Sequence, residues 1–200
     1  MRTAFAFDLD GTITQEELLP VMATQLNLEH EMRTLTELTL SGTIPFDDSF
    51  RLRCAILRAV PISTVQQIVS QVALAPQTLD FIQRNRDSCF VVTGNLDVWI
   101  APIINRLGCR SFTSTGLHEG DNLIGVAHVL DKSEAIPHIR RHFDRVVAIG
   151  DSVNDIPMFF ESDISVACGN VHEPAIGLQQ ISDYVTYDER SLCRLLNTLS

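Results

Sequence analysis

Two hundred residues with 45% apolar side chains are enough for a buried core, which excludes a disordered chain and a disulfide-stapled miniprotein. Fifteen Lys and Arg against 25 Asp and Glu leave a formal charge of −10; with no basic cluster, such a surface repels phosphate backbones and anionic leaflets, so neither nucleic acid nor a membrane is an expected partner. The five cysteines form no CxxC pair, which argues against a zinc knuckle or a disulfide framework and for a reducing, cytoplasmic compartment.

The chain opens Met1-Arg2-Thr3-Ala4-Phe5-Ala6-Phe7-Asp8, with an acid where a signal peptide needs a long apolar core. No apolar run approaches the length of a membrane span. Ala4–Phe7 has the length of a buried strand and ends in Asp8-Leu9-Asp10-Gly11-Thr12. By itself an Asp-x-Asp pair is a turn or a helix cap; at the end of a first α/β strand it sits where such folds place ligands. From Glu16 to Ala75 the apolar spacing is almost wholly helical, punctuated by Pro45, Pro61 and Pro76, which predicts a small helical bundle over 15–75 inserted into a domain made of 1–14 and 76–200. Cys89–Val92 is the next strand and leads into Thr93-Gly94-Asn95. A helix is expected over 96–107, with Trp99 in the core, then a hairpin over 116–125. A second helix is expected over 132–143, opened by Lys132. The strand Arg145–Ile149 runs into Gly150-Asp151-Ser152-Val153-Asn154-Asp155. Ile164–Ala167 is the last strand, and a helix over Glu189–Leu199 packs on the sheet. Alternating short strands and helices predict an α/β, Rossmann-like three-layer domain around a largely parallel sheet.

If the first strand and the strand at 145–149 are central, four carboxylates, Asp8, Asp10, Asp151 and Asp155, converge on one crevice. Their repulsion, on the order of several kcal/mol at an effective dielectric near ~20, calls for a cation. All-oxygen ligation with few protein donors suits Mg²⁺. Thr93 and the amide of Gly94 lie at a strand-to-helix turn suited to an anion, although such a turn is by default only a cap. Lys132, by default a solvated charge, is the best-placed cation to stand beside a metal and a phosphate. His138 and His142 are four apart but lack a third ligand, and Cys54 reads as a small residue of the helical core.

Asp8-Leu9-Asp10-Gly11-Thr12, Thr93, Lys132 and Gly150-Asp151-Ser152-Val153-Asn154-Asp155, in this order, resemble the four motifs of the haloacid dehalogenase superfamily of phosphohydrolases. The helical insertion is similar to the small cap of its phosphoserine-phosphatase-like subfamily. The resemblance implies that Asp8 is a nucleophile that takes the phosphoryl group and that Asp10 protonates the leaving alkoxide and then activates water. It implies Mg²⁺ held by Asp8, the Asp10 carbonyl and Asp151 with Asp155 in support. Thr93 and Gly94 would hold the phosphoryl oxygens, and Lys132 would neutralise charge. A small phosphorylated metabolite is the implied partner; oligomeric state is not implied.

For substrate, the same resemblance places Glu17 at the position that contacts an amino group and Arg53 at the one that binds a carboxylate. Phe46 and Leu40 fall where the subfamily shields the substrate, and Asn154 near the phosphate. Glu17 is also what a helix first turn prefers, and Arg53 on a cap helix is otherwise a solvated charge. Asn95 departs from the subfamily, which carries glycine there, and adds a side chain on the substrate side. Phosphoserine or a similar amino-acid phosphate is the expected substrate class, a phosphatase or phosphotransferase for a different small phosphometabolite the alternative, and a catalytically idle phosphometabolite-binding protein the remote one.

Overall fold

The computed structural model describes residues 1–200 apart from the side chain of Leu40. Seven strands form one sheet: β1 (Thr3–Phe7), β2 (Cys89–Leu96), β3 (Arg110–Glu119), β4 (Asn122–His128), β5 (Arg145–Gly150), β6 (Ile164–Cys168) and β7 (Tyr184–Thr186). Their order is β4-β3-β2-β1-β5-β6-β7. All neighbours are parallel except β4, which runs antiparallel to β3 at one edge. Every residue of β1 is buried, as expected of a parallel strand covered on both faces. Phe5 and Phe7 point to one face and Ala4 and Ala6 to the other, following the two-residue period of a strand. Each phenylalanine contributes about 1.5–3 kcal/mol of transfer free energy to the core.

Ten helices cover the sheet or stand on it: α1 (Leu18–Leu26), α2 (Glu29–Leu40), α3 (Phe46–Leu57), α4 (Ile62–Ser70), α5 (Pro76–Arg84), α6 (Asp97–Leu107), α7 (Ala135–Arg140), α8 (Ile156–Glu161), α9 (Ile176–Ile181) and α10 (Glu189–Leu199). On the Phe5 face, Phe81 of α5 meets Phe5 edge-on at 5.1 Å and Phe7 at 6.3 Å, joined by Trp99 of α6 and Leu196 of α10. On the Ala4 face, Ile136 and Ile139 of α7 and Met158 of α8 fill the smaller space.

The four helices α1–α4 leave and rejoin the sheet through two strands of chain lying side by side. Gln15 N donates to Ala73 O at 2.9 Å, Ala75 N donates to Ile13 O at 2.8 Å, and Thr14 bridges Leu74. The bundle also touches the sheet's hairpin arm. Ile62 N donates to Asp121 O at 2.8 Å, and Ser63 N donates to Asp121 Oδ1 at 2.7 Å, so the β3–β4 tip caps the N-terminus of α4. Among the described residues no helix is long and apolar enough to cross a membrane.

Four local features differ from the sequence expectation. β2 continues through Thr93–Leu96, where a turn was expected, with an irregularity between Thr93 and Leu96. The hairpin extends beyond 116–125, because Arg110–Thr113 of β3 first pair in parallel with β2. This half of β3 is polar and partly exposed, so it carries no apolar run. β7 has only three residues. The helix expected over 132–143 is a 3-10 turn at Lys132–Glu134, capped by the Asp131 side chain, followed by the short α7.

Candidate active site

β1 and β5 are neighbours at the point where the strand order reverses direction, the place where open α/β sheets hold ligands. Asp8 follows β1 directly, and its N–H donates to Ile149 O of β5 at 2.8 Å. The chain then turns at Gly11, whose φ is +69°. Gly11 N donates to Thr14 Oγ1 at 3.2 Å, and that hydroxyl donates to Leu9 O at 3.1 Å. A Cβ at Gly11 would lie 2.6 Å from Asp151 Oδ2, and one at Gly150 would lie 2.3 Å from Asp155 Cγ. Both glycines therefore exist to let carboxylates approach the backbone.

Lys132 links the two strand ends. Its buried ammonium donates to Asp8 Oδ1 and, at 2.6 Å, to Asp155 Oδ1. The other oxygen of Asp155 accepts from Asp151 N and Ser152 N, both at 3.0 Å. Asp155 is thus fully used in orienting Lys132 and the turn after β5, which makes it a supporting group for the cluster rather than an open ligand.

One lysine faces four carboxylates. Burial is the largest influence on Asp8 and raises its pKa well above the usual range; Lys132 opposes, while Asp155, Asp151 and Asp10 add to the rise. Asp151 is pushed up to about 7, first by burial and then by Asp155 and Glu17. Asp10 is pushed up to about 6, first by burial and then by Glu17. For Lys132 burial alone would lower the pKa, but Asp155 and Asp8 outweigh it and hold the ammonium above its ordinary value. A cluster so short of positive charge holds protons or a cation. Asp8, Asp151 and Asp155 bring ligand atoms within 4.8 Å of one another, and Asp151 Oδ2 is buried without a hydrogen-bond donor. The donors around Asp8 are oxygens, so the residues fit a hard divalent cation.

Asp10 is gripped at both oxygens. Leu18 N, at the first residue of α1, donates to Oδ1 at 2.8 Å, and Asn95 Nδ2 donates to Oδ2 at 2.5 Å. Asn95 also donates to Thr93 Oγ1, from its N–H at 3.2 Å and from Nδ2 at 3.1 Å. Ser114 Oγ donates to Gly94 O at 2.7 Å and accepts from Leu130 N at 3.0 Å, tying the irregular end of β2 to the segment that carries Lys132.

Asp8, Asp10, Thr93, Gly94, Asn95 and Lys132 line a cleft of about 480 Å³ together with Glu17, Phe46, Asp151 and Asn154. Phe46 of α3 roofs the turn: a Cβ on Gly94 would meet its ring at 3.7 Å. Arg53 is not among the residues that line this cleft. It lies seven residues beyond Phe46 on α3, about 10 Å along the axis, where it is buried and donates from Nη2 to Thr36 Oγ1 at 3.0 Å. Leu40 lies outside the described side chains. Glu17 reaches the cleft with its carboxylate Oε1 3.3 Å from His172 Nε2.

His172 is the residue that sequence reasoning missed. It sits in Gly169-Asn170-Val171-His172, just past the C-terminal end of β6, where the strand-end rule would have marked it. Ser114 and the Leu18 amide were also unmarked: one is an ordinary serine on a strand, the other a backbone group with no sequence signature.

A family model described as haloacid dehalogenase-like hydrolase matches residues 5–159. The phosphoserine phosphatase of Methanocaldococcus jannaschii is 27% identical over 176 residues, covering 80% of this chain and 82% of the relative. That of Halobacterium salinarum is 26% identical over 212 aligned positions, covering 98% and 97%. A solved phosphoserine phosphatase with a phospho-aspartyl intermediate analogue superposes with a TM-score of 0.79 at 23% identity, over 97% of this chain and 98% of that one, a likeness of fold.

Proposed function

The chain belongs to the haloacid dehalogenase-like hydrolases, and on that premise we propose that it is a Mg²⁺-dependent phosphomonoesterase that acts on a small phosphorylated metabolite through an aspartyl-phosphate. The observation that carries this reading is the pairing of Asp8 with Lys132, itself braced by Asp155, at the floor of a cleft whose wall is Thr93, Gly94 and Asp10.

Asp8 attacks phosphorus while Lys132 holds its carboxylate in place and offsets charge on both reactants. The Thr93 hydroxyl and the Gly94 amide receive the phosphoryl oxygens. Asp10, raised to about 6 by burial and Glu17, donates a proton to the departing alkoxide as the P–O bond breaks. It then takes a proton from the water that attacks the acyl phosphate, which releases inorganic phosphate and regenerates Asp8. Asp8, Asp151 and the Asp10 carbonyl would hold Mg²⁺, which would supply neutralisation of the charge between carboxylate and phosphate. The bundle α1–α4 is the cap, Phe46 shields the bound substrate from water, and Asn154 borders the phosphate.

The names of the relatives make phosphoserine the first substrate to assay, with Glu17 facing its ammonium. Two observations favour a second reading, another small phosphometabolite: Arg53 is buried against Thr36, and Asn95 fills the wall beside Asp10. Phosphate release from phosphoserine and a panel of small phosphoesters, with Mg²⁺ and with EDTA, tests both. Metal-dependent release supports the chemistry, phosphoserine preference supports the amino-acid reading, and no release from any ester refutes the proposal.

A further inference from the structure

Next to the acidic floor, three segments bring a nitrogen and two oxygens together. His172 Nε2 lies 3.3 Å from Glu17 Oε1 and 2.9 Å from Asp151 Oδ2, and ligand atoms of the three residues fall within 4.8 Å of one another. Two further observations separate this group from an ordinary ion pair. Asp151 Oδ2 is buried and receives no hydrogen bond, although Nε2 stands 2.9 Å away. The opposite ring nitrogen, Nδ1, lies 3.3 Å from the carbonyl oxygen of Glu173. Metal-binding imidazoles are commonly oriented through such a contact at the other ring nitrogen.

We propose that Glu17, Asp151 and His172 form a second divalent-metal site, of mixed nitrogen and oxygen donors, suited to Zn²⁺ or a similar transition ion rather than to Mg²⁺. Ligands about 2.0–2.1 Å from a tetrahedral zinc are separated by roughly 3.4 Å, so the observed spacings need only small shifts. Imidazole favours first-row transition ions, whereas Mg²⁺ takes oxygens. The half-exposed Glu17 and His172 give an ion access, and water completes its coordination. Asp151 belongs to this site and to the cluster at Asp8, so a transition ion here draws on a carboxylate that the Mg²⁺ site also needs. Glu17 immediately precedes α1, so the same ion would fasten the entry of the helical bundle to the loop after β6.

The test reads metal binding without turnover, which keeps its outcome separate from that of the phosphatase proposal. The metal-free full-length protein is titrated with Co²⁺ and followed by visible absorption, then with Zn²⁺ by calorimetry and by displacement of the Co²⁺ spectrum. The wild type should give the intense visible bands of a four- or five-coordinate Co²⁺ site with a nitrogen ligand, lost on adding Zn²⁺. His172→Gln, a change in a half-exposed loop, should weaken Zn²⁺ binding by about tenfold or more, and Glu17→Gln should act in the same direction. Asp8→Asn should retain the site. Absence of Zn²⁺ binding in the wild type, binding untouched by His172→Gln, or binding abolished by Asp8→Asn would overturn the proposal.

Discussion

Replacing Lys132 by Met removes the only cation that touches Asp8 and Asp155, both buried. A methionine of similar volume keeps the packing, so the change isolates charge. Removing one partner from a buried ion pair costs about 3–5 kcal/mol, because the other charge is left uncompensated. Here the remaining partner is a cluster of carboxylates, which places the expected loss in the upper half of that range in metal-free buffer. For a chain of this size, about 2–4 °C is lost per kcal/mol, so the thermal midpoint should fall by about 8–20 °C. The assay is urea and thermal unfolding of wild type and variant in EDTA and in saturating Mg²⁺. Acidification should narrow the gap, since protonated carboxyls no longer repel, and Mg²⁺ should narrow it at neutral pH. A loss in EDTA below about 0.5 kcal/mol, the scale of a surface substitution, would refute the buried, cation-poor cluster.

Asp8→Asn should fold normally and lose turnover by on the order of 10⁴-fold or more, the scale of nucleophile deletions, measured as phosphate release. In EDTA the wild type should become less stable as pH rises through the window from about 4 to 7. Asp10, raised to about 6, and Asp151, raised to about 7, bind protons in the folded chain that the unfolded chain has already released, so their contribution is full below the unfolded pKa and gone above the folded one. Unfolding free energy measured across that range checks the sign, and a rise with pH would contradict it. Gly150→Ala should destabilise by about 1–3 kcal/mol, because its Cβ would fall 2.3 Å from Asp155 Cγ; chemical denaturation reads this directly. Asn95→Gly frees the Asp10 carboxyl, so first-turnover release of an alkyl alcohol should slow by about 10–100-fold, a fraction of what general acid catalysis is worth. Release of a nitrophenol, which leaves without a proton, should change far less, and equal slowing of both would show that Asn95 does not act through Asp10.

The sheet was legible wherever it is buried on both faces. Ala4–Phe7, Cys89–Val92, Arg145–Ile149 and Ile164–Ala167 are all apolar because parallel central strands have no polar side, and each corresponds to an observed strand. The first half of β3 and the three residues of β7 were not legible, since edge strands need no apolar run. Asp8, Asp10 and Asp151 were marked by strand-end position and Lys132 as the cation such a cluster needs, and the four come together in one cleft. Arg53 was assigned by offset along a helix, and offset does not say which neighbour a long side chain meets: Thr36 captures it inside the bundle. His172 follows the end of β6, a position the strand-end rule marks, but the Glu17 it meets is 155 residues away and gives no local signal. The helix expected to start at Lys132 begins instead as a 3-10 turn whose N-cap is Asp131, bonded to Ser133 N.

The most direct test of catalysis through Asp8 is acid-quench trapping during turnover of whichever ester the panel selects, with Mg²⁺ present, followed by peptide mass analysis. A phosphoryl group on the peptide that contains Asp8, absent from Asp8→Asn and absent without Mg²⁺, is the expected result. Sustained phosphate release with no phosphoryl group on that peptide, or with the group on another residue, would contradict it.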